Sequence, residues 1–196
     1  MRVIYAVIFA VLAVTACGGR EVTRTGTDTV TDLSGRWNDT DARIVAESIV
    51  EQCLAGNWRV ARYEGERRGD RLLPVILVGG VRNQSTEHIN VDVFMSQIER
   101  ALLNSGEFGI ASGGRERDEI RGERRDQAIF ASPETAAGYG REVGADYVMT
   151  GTVNSIEDQE GGTRAVFYQV NLELIDVETA LKVWMGSTEI KKIIEW

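Results

Sequence analysis

Histidine occurs once in this chain, and cysteine and proline occur twice each. With His88 as the single imidazole, a two-histidine metal site is excluded, and any triad would need His88 itself as its base. The chain also lacks a G-x-S-x-G elbow, an H-E-x-x-H helix, a Walker A run and a C-x-x-C pair. These absences point away from an enzyme and give no reason to expect a cofactor, a metal or a small-molecule substrate. Positive charge is scarce as well: 22 Lys and Arg stand against 30 Asp and Glu, a net charge of −8. Such a chain is poorly suited to nucleic acid or to an anionic membrane surface, so its partners are expected to be proteins. Long apolar runs are missing too. The best one, Val3 to Val14, falls short of the roughly 20 residues that a membrane-spanning helix needs.

That short run is informative. Arg2 precedes it and the small residues Thr15-Ala16-Cys17 end it, which is the layout of a secretory signal peptide. Val14-Thr15-Ala16-Cys17 also resembles a bacterial lipobox. The resemblance implies a signal peptide over residues 1–16, cleavage before Cys17, and acylation of Cys17 with palmitate-type chains. Two or three such chains hold a protein stably on a membrane where one does not. Gly18 follows the cysteine, which under the usual sorting rule implies the outer membrane, with the protein facing the periplasm. Removing Arg2 with the leader takes the charge from −8 to −9. With Cys17 acylated, Cys53 has no disulfide partner in the chain, and on the apolar stripe Val45, Ile49, Cys53 it reads as a small buried hydrophobe.

Residues 17–38 comprise the acylated cysteine and a Gly-, Thr- and Asp-rich tether without apolar period. A coil of residues 18–38 averages roughly 25 Å end to end and cannot exceed about 75 Å. Residues 39–196 are one domain's worth of chain. Asp39 or Thr40 is expected to cap a first helix that Gly56-Asn57 stops. Trp58 to Tyr63 alternates as a strand expected to pair with the buried strand Leu72 to Val81. Asn90 caps a helix striped Val91, Phe94, Met95, Ile98, Leu102 and closed by Gly106. Glu107 to Ser112 reads as a short strand and Arg115 to Ile129 as a charged helix. Ser132-Pro133 opens another helix to about Val143. Asp146–Ile156, Arg164–Asp176 and Lys182–Lys191 are three strands, the last two joined across Val177 to Ala180. The fold class is therefore α+β: a single domain with a mixed sheet that ends in an antiparallel three-strand meander, helices packed mainly on one face.

Several local features invite a chemical reading and a plainer one. His88, on the loop after the buried strand, reads as a loop residue with local hydrogen bonds. The spacing of Gly138, Gly140 and Gly144 imitates a dinucleotide fingerprint but ends a helix rather than opening one, so Gly144 is expected to supply a positive φ at a helix C-terminus. Glu157, Asp158 and Glu160 form an acidic group that reads as a solvated hairpin tip rather than a cation site. The mixed charges of RERDEIRGERRDQ read as an exposed helix face, with partner docking as the alternative. Tyr168, Trp184 and Trp196 read as core aromatics, with interface anchors as the alternative.

Four segments together carry a family resemblance: DLSGRWNDTD, PVILVGGVRNQSTEHINVDVFMSQIERALLNSGEF, GADYVMTGTVNSI and YQVNLELIDVETALKVWMGSTEIKK. In order and spacing they resemble the LpoB family of outer-membrane lipoproteins over roughly residues 32 to 192. The resemblance implies a non-enzymatic lipoprotein that binds and activates a bifunctional class A penicillin-binding protein, the peptidoglycan synthase, and so regulates cell-wall synthesis and cell shape. It supplies no partner-binding residues. The best-known members carry a long, often proline-rich tether, whereas this one has no proline before Pro74. The alternative is a structural envelope lipoprotein that self-associates or docks to an outer-membrane assembly.

Overall fold

A computed structural model describes residues 21–58, 73–132 and 142–196. Cys17, the signal peptide, most of the Trp58–Tyr63 segment and the helix expected after Ser132-Pro133 lie outside the described residues. Two units are distinguished along the chain, Met1–Val30 and Thr31–Trp196. In the first, the described residues 21–30 make one turn, in which Thr29 N donates to Gly26 O at 3.1 Å.

The second unit contains α1 (Asp39–Ala55), β1 (Val75–Asn83), α2 (Val91–Asn104), β2 (Gly109–Ala111), α3 (Gly114–Phe130), β3 (Tyr147–Glu160), β4 (Thr163–Asp176) and β5 (Lys182–Glu195). The strands form one sheet in the order β2-β1-β3-β4-β5. β1 runs parallel to β2 and β3, and β3, β4 and β5 are antiparallel. This is the expected α+β domain with its terminal meander. β1 is paired on both sides, by β2 and by β3, and Trp58 is helical, so the pairing expected for Trp58 does not form.

Local chemistry explains the helices. Asn38, one residue before the expected cap, closes a capping box on α1: its side chain accepts from Asp41 N at 3.2 Å and Asp41 Oδ2 accepts from Asn38 N at 2.9 Å. Val45, Ile49 and Cys53 recur at helical spacing and are fully buried. On α2, Asn90 caps Asp92 N, and Phe94, Met95, Ile98 and Leu102 turn into the core. Gly106, at φ 72°, follows its end as the sequence requires. Gly144 is not among the positive-φ glycines, and it lies in irregular chain before β3.

Both apolar helices cover one face of the sheet. β4 shows why: Val166, Tyr168, Val170, Leu172 and Leu174 keep period two and are all buried, with Met149 and Val153 of β3 beside them. Each such fully buried aliphatic side chain contributes about 1.5–3 kcal/mol by leaving water. Trp58 seals one end of this core. It stacks on Phe108 at 5.7 Å, meets Tyr147 edge-on at 5.1 Å, and donates from Nε1 to the Cys53 carbonyl at 3.1 Å. Gly79-Gly80 interrupts β1 with a register shift between Val78 and Val81; a Cβ on Gly79 would crowd the Met149 carbonyl. α3 differs from the other two helices, because none of its residues is buried.

Candidate interaction face

The face of β3, β4 and β5 away from α1 and α2 carries the alternate residues of each strand. Its centre is a polar ladder in which Thr152, Asn171 and Ser187 lie in line across the strands, and Asn154, Gln169 and Glu189 lie in the next row. The side chains bond laterally: Asn171 Nδ2 to Gln169 Oε1 at 3.2 Å, and Gln169 Nε2 to Glu189 Oε1 at 3.2 Å. Apolar groups flank this band. Ile156 stands opposite Phe167 and Ala165 opposite Ile193 at one end, while Met185 stands opposite Glu173 at the other. Ile156 is 69% exposed, Met185 63% and Ile193 57%, whereas their counterparts on the other face are buried. This face therefore sets exposed apolar side chains around a hydrogen-bonded polar band, the arrangement of a candidate interaction face.

A polar clasp fixes the chain entering the domain to the opposite face. Lys192 Nζ bonds Asp32 Oδ1 at 2.7 Å, Asp41 Oδ2 at 2.7 Å and the Arg36 carbonyl at 3.0 Å. Burial works against the charged Lys192, but the two carboxylates outweigh it and its pKa is raised. The hydrogen bond from Lys192 holds Asp32 below the usual carboxylate range. Trp37 N donates to Glu87 Oε2 at 3.0 Å, and the Trp37 ring sits 5.4 Å from Tyr168 and 6.1 Å from Phe94. Burial, and then Glu87 beside it, pushes the Tyr168 hydroxyl upward. Arg164 completes the group, reaching Glu157 at 2.6 Å and Glu87 at 3.5 Å. Hydrogen bonds from Thr86 and Arg164 hold Glu157 below its ordinary pKa. Residues 31–38 are thus bound to the domain and are not a free coil.

The structure separates the singled-out residues. His88 is exposed on the loop between β1 and α2. Glu157, Asp158 and Glu160 lie on extended β3, so Glu157 points to the helix-covered face and Asp158 to the other. The three carboxylates therefore do not converge, and among the described residues no metal-binding cluster occurs. Cys53 is buried as read. Tyr168 is core and Trp184 is partly buried against the core cluster, but Trp196, read as core, follows the end of β5 and is 71% exposed. The charged helix is exposed, as its pattern implied. Sequence reading missed the clasp, although one signal was present. On β5 the period-two positions Thr188, Ile190, Lys192 and Ile194 place a lysine on the apolar face, which requires a buried partner.

Comparison with known proteins gives the following. A family model described as peptidoglycan-synthase activator LpoB matches residues 41–190. Among solved structures, the LpoB C-terminal domain from Escherichia coli is 21% identical, covering 63% of this chain and 83% of its own, with a TM-score of 0.34. The LpoB C-terminal domain from Salmonella enterica is 20% identical, covering 69% of this chain and 98% of its own, with a TM-score of 0.36. Lipoprotein GNA1162 from Neisseria meningitidis is 18% identical, covering 60% and 82%, with a TM-score of 0.38. No curated protein sequence matches this chain.

Proposed function

The chain belongs to the LpoB family of peptidoglycan-synthase activators, and on that premise we propose that it is an outer-membrane lipoprotein that binds and activates a bifunctional class A penicillin-binding protein. The observation that carries this reading is the extent of the family match, which spans the folded unit from α1 into β5. Activation by binding needs no active site. A partner that prefers one conformation of a synthase shifts its population, and a coupling of about 1–3 kcal/mol changes activity roughly 5- to 150-fold.

In this reading Cys17 carries the acyl chains and residues 18–30 are the free part of the tether. Fully extended, residues 17–30 reach about 50 Å at most. Among the described residues no helix is long and apolar enough to cross a membrane, which is compatible with a lipid anchor. We assign the synthase contact to the open face of β3–β5, because it is uncovered by α1 and α2 and edged by Ile156, Phe167, Ile193 and Met185.

The test is in-cell cross-linking with the lipidated protein as bait, followed by a synthase assay with the captured partner. A class A penicillin-binding protein is expected, stimulated by the wild type and not by an Ile156→Glu, Ile193→Glu variant. Capture of only this chain or of outer-membrane proteins overturns the reading in favour of a structural envelope lipoprotein.

A further inference from the structure

α3 has an uneven distribution of charge. Its five arginines and five carboxylates balance along the sequence, yet at 100° per residue Arg117, Arg121 and Arg124 fall on one face together with Ile120. Glu116, Asp118, Glu119, Glu123 and Asp126 fall on the flanks and the far side. The three-arginine face turns toward β2, where among the described residues it meets one carboxylate from outside the helix, Glu142; within the helix Arg121 also pairs with Asp118 at 3.4 Å. Arg121 holds Glu142 in a two-pronged pair, Nε to Oε1 at 2.8 Å and Nη2 to Oε2 at 2.9 Å. Arg124 and Arg117 stand farther off, at 3.6 Å and 3.8 Å, beyond hydrogen-bond length. Arg117 also donates to the Ser112 carbonyl at 3.1 Å, which aims its guanidinium at the same place.

Arg117, Arg124 and Glu142 rim a cavity of about 190 Å³ whose other walls include Ile110, Ile120 and Val143. Three guanidinium groups against Glu142 and Asp118 leave a local excess of positive charge in a protein whose net charge is −8. The donors of Arg117 and Arg124 lie on the cavity rim, and among the described residues no carboxylate stands at hydrogen-bond distance from them. Planar, paired donors match a carboxylate better than a point charge, and Glu142 demonstrates the fit.

We propose that this cavity binds the carboxylate terminus of a short peptide ending in a small apolar residue, with Glu142 acting as an internal carboxylate that occupies the arginines in its absence. The incoming carboxylate takes up donors of Arg124 and Arg117, and its side chain enters the apolar part beside Ile110, Ile120 and Val143. A volume of about 190 Å³ accommodates a small side chain together with the carboxylate. This site is on α3 and β2, apart from the open face of β3–β5, and does not depend on the identity of the synthase.

Isothermal titration of the full-length protein with N-acetyl-alanyl-alanine tests the proposal, with the C-terminal amide of the same peptide and N-acetyl-aspartic α-methylamide as controls. The acid is expected to bind and the amide not. Glu142→Gln, which removes the internal competitor, is expected to tighten binding about tenfold, the equivalent of one charge-assisted hydrogen bond. Arg117→Gln combined with Arg124→Gln is expected to weaken it by at least about tenfold for the same reason. Binding of acid and amide alike, or no binding of the acid to Glu142→Gln at millimolar concentration, overturns the proposal. Preference for the aspartic side-chain carboxylate over the peptide terminus also overturns it and reassigns the arginines to an acidic segment of a protein. α3 buries no residue, so these substitutions leave the core intact, and an unchanged circular dichroism spectrum verifies that.

Discussion

Gln52, on α1, bonds both backbone groups of Ser187 on the edge strand β5: its Nε2 donates to the Ser187 carbonyl at 2.9 Å and its Oε1 accepts from Ser187 N at 3.1 Å. β5 has β4 on one side only, so its outward N–H and C=O groups are a template for another strand. One amide side chain from the neighbouring helix imitates the missing strand at that point. Gly186 makes this feasible, since a Cβ there would crowd Trp184 and the Gln52 Oε1.

Gln52→Ala is therefore expected to cost about 1–2 kcal/mol, from two hydrogen bonds at a partly exposed site. It should also lower the concentration at which the domain self-associates through β5. Urea unfolding measures the first effect and light scattering across a concentration series the second. A variant no more prone to associate than the wild type would show that the charges on β5 protect the edge without Gln52.

The clasp at Lys192 predicts a pH window for residues 31–38. Asp32 has a lowered pKa, so its contribution is present above the unfolded carboxylate value, about 4, and is lost as pH falls through the folded value. Lys192 has a raised pKa, so its contribution is present below the unfolded value, about 10.4, and is lost as pH rises through the folded value. Trp37 reports the clasp, and the difference in emission between wild type and Trp37→Phe is expected to hold steady between these limits and change outside them.

Lys192→Met tests the same group by another route. Asp41 is 3% exposed and loses its cation while keeping its bond from Asn38 N, and breaking a buried ion pair by removing one partner costs about 3 kcal/mol. Thermal unfolding should show a loss of that order, whereas Lys191→Met, on the exposed face of the same strand, should be near neutral.

Gly151→Ala is expected to destabilise by about 1–3 kcal/mol. A Cβ at Gly151 would collide with the Asn171 carbonyl and the Leu172 side chain across the β3–β4 ladder, where neither backbone can retreat. Gly122→Ala on α3 meets nothing within 4 Å and serves as the control, expected to be neutral or slightly stabilising.

Cys17→Ala is expected to abolish both cleavage and acylation of the precursor. Metabolic labelling with a fatty-acid probe measures this, and a labelled Cys17→Ala protein would refute the lipid-anchor proposal.

Much of the domain was legible because its signals are local. Alternation from Val166 to Leu174 identifies a strand with one buried face, and the 3.6-residue stripe from Phe94 to Leu102 identifies a helix, whatever either packs against. The break in β1 at Gly79-Gly80 was also written locally, as two glycines inside an apolar run, yet that run reads as one continuous strand. The docking of residues 31–38 was not legible, since a Gly-, Thr- and Asp-rich segment has the composition of a free coil.

The sequence by itself therefore determined the first helix and the order of the described elements from β1 to β5, the α+β class, the buried state of Cys53, and the family, through motifs whose spacing survives in the chain. Tertiary structure alone decided which distant groups meet: Asp32 with Lys192, Gln52 with Ser187, and three arginines of α3 with Glu142. The reason is physical. A hydrophobic period reports which side of an element avoids water, but a polar side chain costs energy only when it is buried without a partner. That partner is chosen by how the elements pack, at separations along the chain that no local pattern encodes.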